Sequence, residues 1–119
     1  MYDIKEFTFV EQPVFTRQLI EIASRDDESY RLFQLELALR PAAWPVVKGS
    51  GGLRKARMRL PGRGKSGSAR VLYLWLQKRR IFCLYLIYTK GDMETIPAEQ
   101  IKAIRYEVQR IKEAFGEED

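Results

Sequence analysis

Residues 70–88 read RVLYLWLQKRRIFCLYLIY: two runs, Arg70–Leu76 and Ile81–Tyr88, apolar at nearly every position, joined by the polar link Gln77-Lys78-Arg79-Arg80. Short runs rich in aromatic and branched residues that are apolar on both faces are read as strands with both faces covered. The short link makes them an antiparallel hairpin at the centre of a sheet, with Lys78-Arg79-Arg80 as its soluble tip. Register then matters. A three-residue turn at Lys78–Arg80 sets Arg70 opposite Tyr88 on one face, whereas a two- or four-residue turn puts them on opposite faces, because each one-residue slip reverses the side-chain direction. Tyr73, Trp75, Phe82 and Tyr85 fall inside the runs and are expected in the core.

Upstream of the hairpin, Leu53-Arg54-Lys55-Ala56-Arg57-Met58-Arg59 alternates with period two. Lys55, Arg57 and Arg59 share one side with Leu53, while Arg54 joins Ala56 and Met58 on the other, so this strand has a cationic face. Between it and the hairpin, residues 60–69 hold Pro61, Gly62, Gly64 and Gly67 among Arg63 and Lys65, the composition of a basic loop. A short strand is expected near 6–10 from Phe7 and Phe9, then a helix from about Pro13 with Phe15, Leu19 and Ile22 at helical spacing. The polar break 24–28 opens a second helix carrying Tyr30, Phe33, Leu37 and Ala38 on its apolar face, and Pro41 ends it. Pro41 to Gly52 is loop, where Trp44 is read as covering a core edge. A last helix follows Pro97, with Glu99 in its first turn and the stripe Ile101, Ile104, Val108, Ile111 and Phe115. The sum is an α+β domain, 1–119, of order β-α-α-β-β-β-α with a small, mainly antiparallel sheet.

Charge is divided sharply along the chain. No Asp or Glu occurs between Glu36 and Asp92, and those 55 residues hold 13 of the 21 Lys and Arg. The flanks carry the other 8 bases and all 16 acids, so the centre is about +13 and the flanks 8 − 16 = −8, beneath a net charge of +5. A field divided in this way favours a polyanion, nucleic acid first. With no His and one Cys, the usual zinc sites and His-based triads are excluded. Cys83 lies in an apolar strand pattern, where it reads as a small hydrophobe. No apolar run is long enough to cross a bilayer, and the first residues lack the pattern of a secretion signal, so a soluble, cytoplasmic protein is expected. Gly49, Gly51 and Gly52 resemble a phosphate cradle only superficially, and Gly64-Lys65-Ser66 precedes a strand, so no Walker pattern is complete.

The element order, together with YRLFQ at 30–34 and Glu36-Leu37, GSGGLRKAR at 49–57, PGRGKSGSARVLYLWL at 61–76 and IYTKGDM at 87–93, resembles the RelE/HigB type of bacterial toxin. The likeness runs in order along nearly the whole chain and points to a HigB-like member with a RelE-like microbial RNase fold. It departs at Ser66-Gly67-Ser68, where relatives commonly carry another base and a Gly-Gly pair.

The resemblance implies the toxin of a type II toxin–antitoxin system: a metal-independent endoribonuclease, without cofactor, that cuts mRNA in the ribosomal A site. Its partners would be the translating ribosome and a HigA-like antitoxin of helix-turn-helix type. RNA carries its own nucleophile, the 2′-OH, so the main requirement is cations on the developing phosphorane charge, and arginine suits that role. By position, Arg70 looks like the principal phosphate stabiliser, with Lys55 and Arg57 as further charge stabilisers. Tyr88 is a candidate for proton transfer or stacking, provided that the positive field lowers its pKa if it is to act as a base. Arg54, Arg59, Arg63, Lys65 and Lys90 would bind RNA. Two other readings stand beside this one: a non-catalytic RNA- or ribosome-binding module, and a toxin of the same fold acting on a protein such as gyrase.

Overall fold

The computed structural model describes residues 6–23, 27–60, 67–90 and 96–117. Four strands and three helices follow in the expected order: β1 (Thr8–Glu11), α1 (Pro13–Ala23), α2 (Asp27–Leu39), β2 (Arg54–Met58), β3 (Ala69–Leu76), β4 (Ile81–Thr89) and α3 (Ala98–Ala114). Pro13 opens α1, with Thr16 N–H donating to Gln12 C=O at 3.0 Å, and α2 stops two residues short of Pro41. The sheet order is β1-β4-β3-β2. β2–β3 and β3–β4 are antiparallel, while β1 lies parallel to β4 with Thr8 opposite Ile81. The two strands that are apolar on both faces are therefore the central pair.

Alternation along β3 sorts the core into two layers. Val71 and Tyr73 join Phe15, Phe33, Leu37, Phe82 and Leu84 beneath α1 and α2. There Phe82 stacks with Trp75 at 4.6 Å and with Phe9 at 4.9 Å between ring centres. Leu72, Leu74 and Leu76 face the other way, with Leu53, Cys83, Ile104 and Val108, under α3. Cys83 packs as the small hydrophobe expected of it, and burial pushes its thiol up to about 11.

The hairpin corrects the register argument. Leu76 pairs with Ile81, so residues 77–80 form a four-residue turn, and without further irregularity Arg70 and Tyr88 would face opposite ways. A β-bulge intervenes. Leu72 pairs with Leu86 but Tyr73 pairs with Leu84, leaving Tyr85 as the extra residue. Tyr85 and Leu86 both pack toward α3, while Leu84 and Ile87 both face α1 and α2. The Tyr85 hydroxyl donates to Glu107 Oε2 of α3 at 2.5 Å. The bulge offsets the even turn and returns Arg70 to a position opposite Tyr88.

The segment before β2 turns tightly against α3. Ser50, fully buried, donates from Oγ to Val47 C=O at 2.7 Å and accepts from Leu53 N–H at 3.0 Å. Gly51 follows at φ +84°, and a Cβ there would lie 3.4 Å from Val108. These glycines shape a turn that packs on a helix, in line with the rejection of a phosphate cradle.

Candidate active site

Arg57, Arg70 and Tyr88 form one rung across β2, β3 and β4. Lys55 N–H points away from β3 to Pro45 C=O at 3.0 Å. By alternation Arg57 also points its backbone groups outward, so Arg57 and Arg70 face each other as a non-hydrogen-bonded pair, the closer of the two antiparallel arrangements at about 4.5 Å between Cα atoms. Two like charges directly opposite destabilise a sheet. An anion bridging them removes that penalty.

The rung opens on the α3 face, at the end of the sheet away from the Gln77–Arg79 turn. Here Lys55, Arg57, Arg70 and Lys90, with Trp44 and Pro45, line an open concavity of about 460 Å³. No acid is among the described residues that line it. Helix α3 runs with its C-terminal end at the turn, where Lys78 N–H donates to Glu117 at 3.0 Å, and its start beside Lys55, where Ile96, Ala98 and Ile101 line an adjoining hollow. Its positive end therefore adds to the cationic potential, which Glu99 in the first turn partly offsets. Arg70 is half-buried and is oriented by donation from Nη1 to Ser68 C=O at 2.5 Å.

Tyr88 differs from the expectation in its electrostatics. The residue is only 3% exposed, and its hydroxyl has no hydrogen-bond partner among the described residues. Burial raises its pKa, and nearby Arg70 opposes that rise without reversing it. The phenol is thus held protonated at neutral pH, which suits a hydrogen-bond or proton donor and not a base.

The structure brings Lys55, Arg57, Arg70, Tyr88 and Lys90 to one face. Arg54 lies on the other, donating to Ala42 C=O at 3.2 Å and Trp44 C=O at 2.6 Å, and so fastens the loop that Tyr73 also holds through Pro41 C=O at 2.7 Å. Its guanidinium is engaged in structure, away from the cationic cluster, as the period-two pattern had already divided it. Arg59 is exposed just past β2 and lines a separate groove under α2. Arg63 and Lys65 lie outside the described residues. Trp44 packs against the α1/α2 core as expected and also lines the concavity, a second position that no spacing in the sequence indicated.

Among the described residues no three His, Cys, Asp or Glu side chains converge on a possible metal site, and no helix is long and apolar enough to cross a membrane. The lining offers two arginines, two lysines and apolar walls, with the buried Tyr88 phenol on the adjoining rung, an arrangement fitted to hold phosphate oxygens. No model of a known protein family matches the chain. Among solved structures it is similar to the E. coli toxin RelE, a double arginine-to-alanine mutant in the free state, at 13% identity and a TM-score of 0.57 over 89% of this chain and 98% of that one. The likeness is one of architecture: the chain is an α+β protein with the RelE-like fold.

Proposed function

We propose that the chain is the toxin of a type II toxin–antitoxin pair, a HigB-like endoribonuclease that cuts mRNA in the ribosomal A site and is held inactive by a HigA-like antitoxin. The observation that carries this reading is the Arg57–Arg70 pair, set side to side at a concavity with no acid among its described lining residues and flanked by Lys55, Lys90 and Tyr88. Guanidinium groups on the non-bridging oxygens would stabilise the phosphorane as the 2′-OH gives its proton to water, the 2′-O–P bond forms and the P–O5′ bond breaks, leaving a 2′,3′-cyclic phosphate and a 5′-OH. A protonated Tyr88 suits donation toward the departing 5′ oxygen once RNA binding uncovers its hydroxyl, which is buried in the free protein. Removing one such donor typically costs 10²–10³-fold in rate. Primer extension on a defined message in purified translating ribosomes tests the reading: Arg70→Ala should lower cleavage by roughly that factor, and cleavage unaltered by the substitution would refute it.

A non-catalytic RNA- or ribosome-binding module is the second reading, favoured by one observation. Among the described lining residues there is no carboxylate or imidazole to accept a proton, and Tyr88 beside them is shifted away from that role. Ribosome binding by the wild type with an intact message would select this module.

A further inference from the structure

The cationic concavity does not end at Lys55. That side chain and Pro45 also line a second hollow of about 460 Å³, on the β2 side of the Arg57–Arg70–Tyr88 rung, between residues 45–48 and the start of α3. Its character is different. Val46, Val47, Ile96 and Ile101 make its lining chiefly apolar, Lys48 joins Lys55 as its cations, and no acid is among the described residues that line it. Val46 is 49% exposed, so part of this apolar wall stands open to water.

The wall is fastened before anything binds. Val47 N–H donates to Leu53 C=O at 2.8 Å, Lys55 N–H to Pro45 C=O at 3.0 Å, and the Arg54 side chain to Trp44 C=O at 2.6 Å. Val47 and Ile96 also pack against the core under α3. A preformed apolar hollow that runs into a cluster of cations suits a ligand that is flat and apolar at one end and anionic at the other. A nucleotide is such a ligand. An unstacked base is read by apolar side chains against its faces and by hydrogen bonds at its edge, and the Lys48 ammonium carries donors for that edge.

We infer that this hollow receives the base on the 5′ side of the cut, that of the nucleotide whose 2′-OH attacks. The assignment rests on the nuclease reading and deepens it. In phosphoryl transfer the attacking and leaving oxygens stand roughly in line through phosphorus. With the phosphate at the Arg57–Arg70 pair and the departing 5′ oxygen toward Tyr88 in β4, the attacking ribose lies on the opposite flank, toward β2. Lys55 and the hollow are on that flank. A base seated there anchors the ribose whose 2′-OH must approach phosphorus in line, and holding a reactant in its attack geometry lowers the barrier without any further catalytic group.

The test uses the full chain and 2′-deoxy dinucleotides, which lack the nucleophile and stay intact, with affinities measured by NMR titration. The dinucleotide with adenine on both sides of its phosphate is compared with one lacking the 5′ base and one lacking the 3′ base. Loss of the 5′ base should weaken binding about tenfold, within the range for one stacked base, and loss of the 3′ base about twofold or less. In Val46→Asn, whose wall is polar but uncharged, the cost of losing the 5′ base should shrink to about threefold or less. That variant should bind the dinucleotide lacking the 5′ base as the wild type does, which reports an intact fold and intact phosphate contacts. No cost from removing the 5′ base would assign the hollow to some other apolar occupant and overturn the inference. An equal cost for the two bases, or the full cost retained in Val46→Asn, would overturn it as well. If the wild type cuts no message in translating ribosomes, the nuclease reading fails, and the dinucleotide comparison still decides whether the hollow takes a base.

Discussion

Arg57 and Arg70 pay for their juxtaposition in stability, and that cost is measurable. A like-charge pair directly across a sheet is worth about 0.2–1 kcal/mol of destabilisation, so Arg57→Thr, which keeps a good strand former, should raise unfolding stability by that amount while weakening phosphate binding. Urea unfolding beside oligonucleotide binding checks both halves, and a variant that loses stability would argue against a strained pair. Tyr88 holds a second local cost, its buried hydroxyl without a partner among the described residues. An orphaned polar group of this kind costs about 1–3 kcal/mol, so Tyr88→Phe should stabilise the free protein by about 1 kcal/mol or more and slow cleavage. A destabilised Tyr88→Phe would mean that the hydroxyl is hydrogen-bonded after all. Sequence alternation alone separated Arg54 from Lys55 and Arg57, because side-chain direction in a strand is strictly periodic. It could not foresee the pKa of Tyr88, which depends on what covers the residue and not on its neighbours in the chain.

The hairpin shows the same division among elements. Its strands were legible to within a residue, since continuous apolar runs around a polar link have few other solutions. The bulge was not. In a strand apolar on both faces, a one-residue slip exposes nothing polar to the core and leaves no mark in the pattern, unlike a slip in an amphipathic strand. The extra residue, Tyr85, is held by its hydrogen bond to Glu107. Tyr85→Phe should cost roughly 1 kcal/mol in urea unfolding and leave the β3–β4 register intact, as reported by the short α-proton distance between Val71 and Ile87 in NMR spectra. Loss of that cross-strand signal would show that the hydrogen bond, and not the packing of Leu84 and Ile87, sets the register.

Across the whole molecule the strongest sequence signal, the acid-free centre, contributes the cations of the β2–β3–β4 sheet end, while seven of the 16 acids lie on the flanking helices. Burial has a global consequence at high pH. The Cys83 thiol is raised from 9.0 to about 11 and the Tyr73 phenol from 10.0 to about 12, chiefly by desolvation, and burial also raises Tyr30, Tyr85 and Tyr88. The unfolded chain releases these protons first, so stability is full below pH 9 and falls as pH rises toward 12. Each group contributes at most about 1.4 kcal/mol per pH unit. Urea midpoints measured from pH 7 to 11 should be level and then decline, and Cys83→Ala should delay the onset; a level profile throughout would contradict the buried assignments. The central claim is that this basic face cuts RNA through the RNA's own 2′-OH. It is tested most directly with two messages in purified translating ribosomes, one all-ribose and one with a single 2′-deoxy nucleotide at the scissile position in the A site. The account predicts cleavage of the first, leaving a 2′,3′-cyclic phosphate, and none at that position in the second; cleavage of both, or of neither, would contradict it.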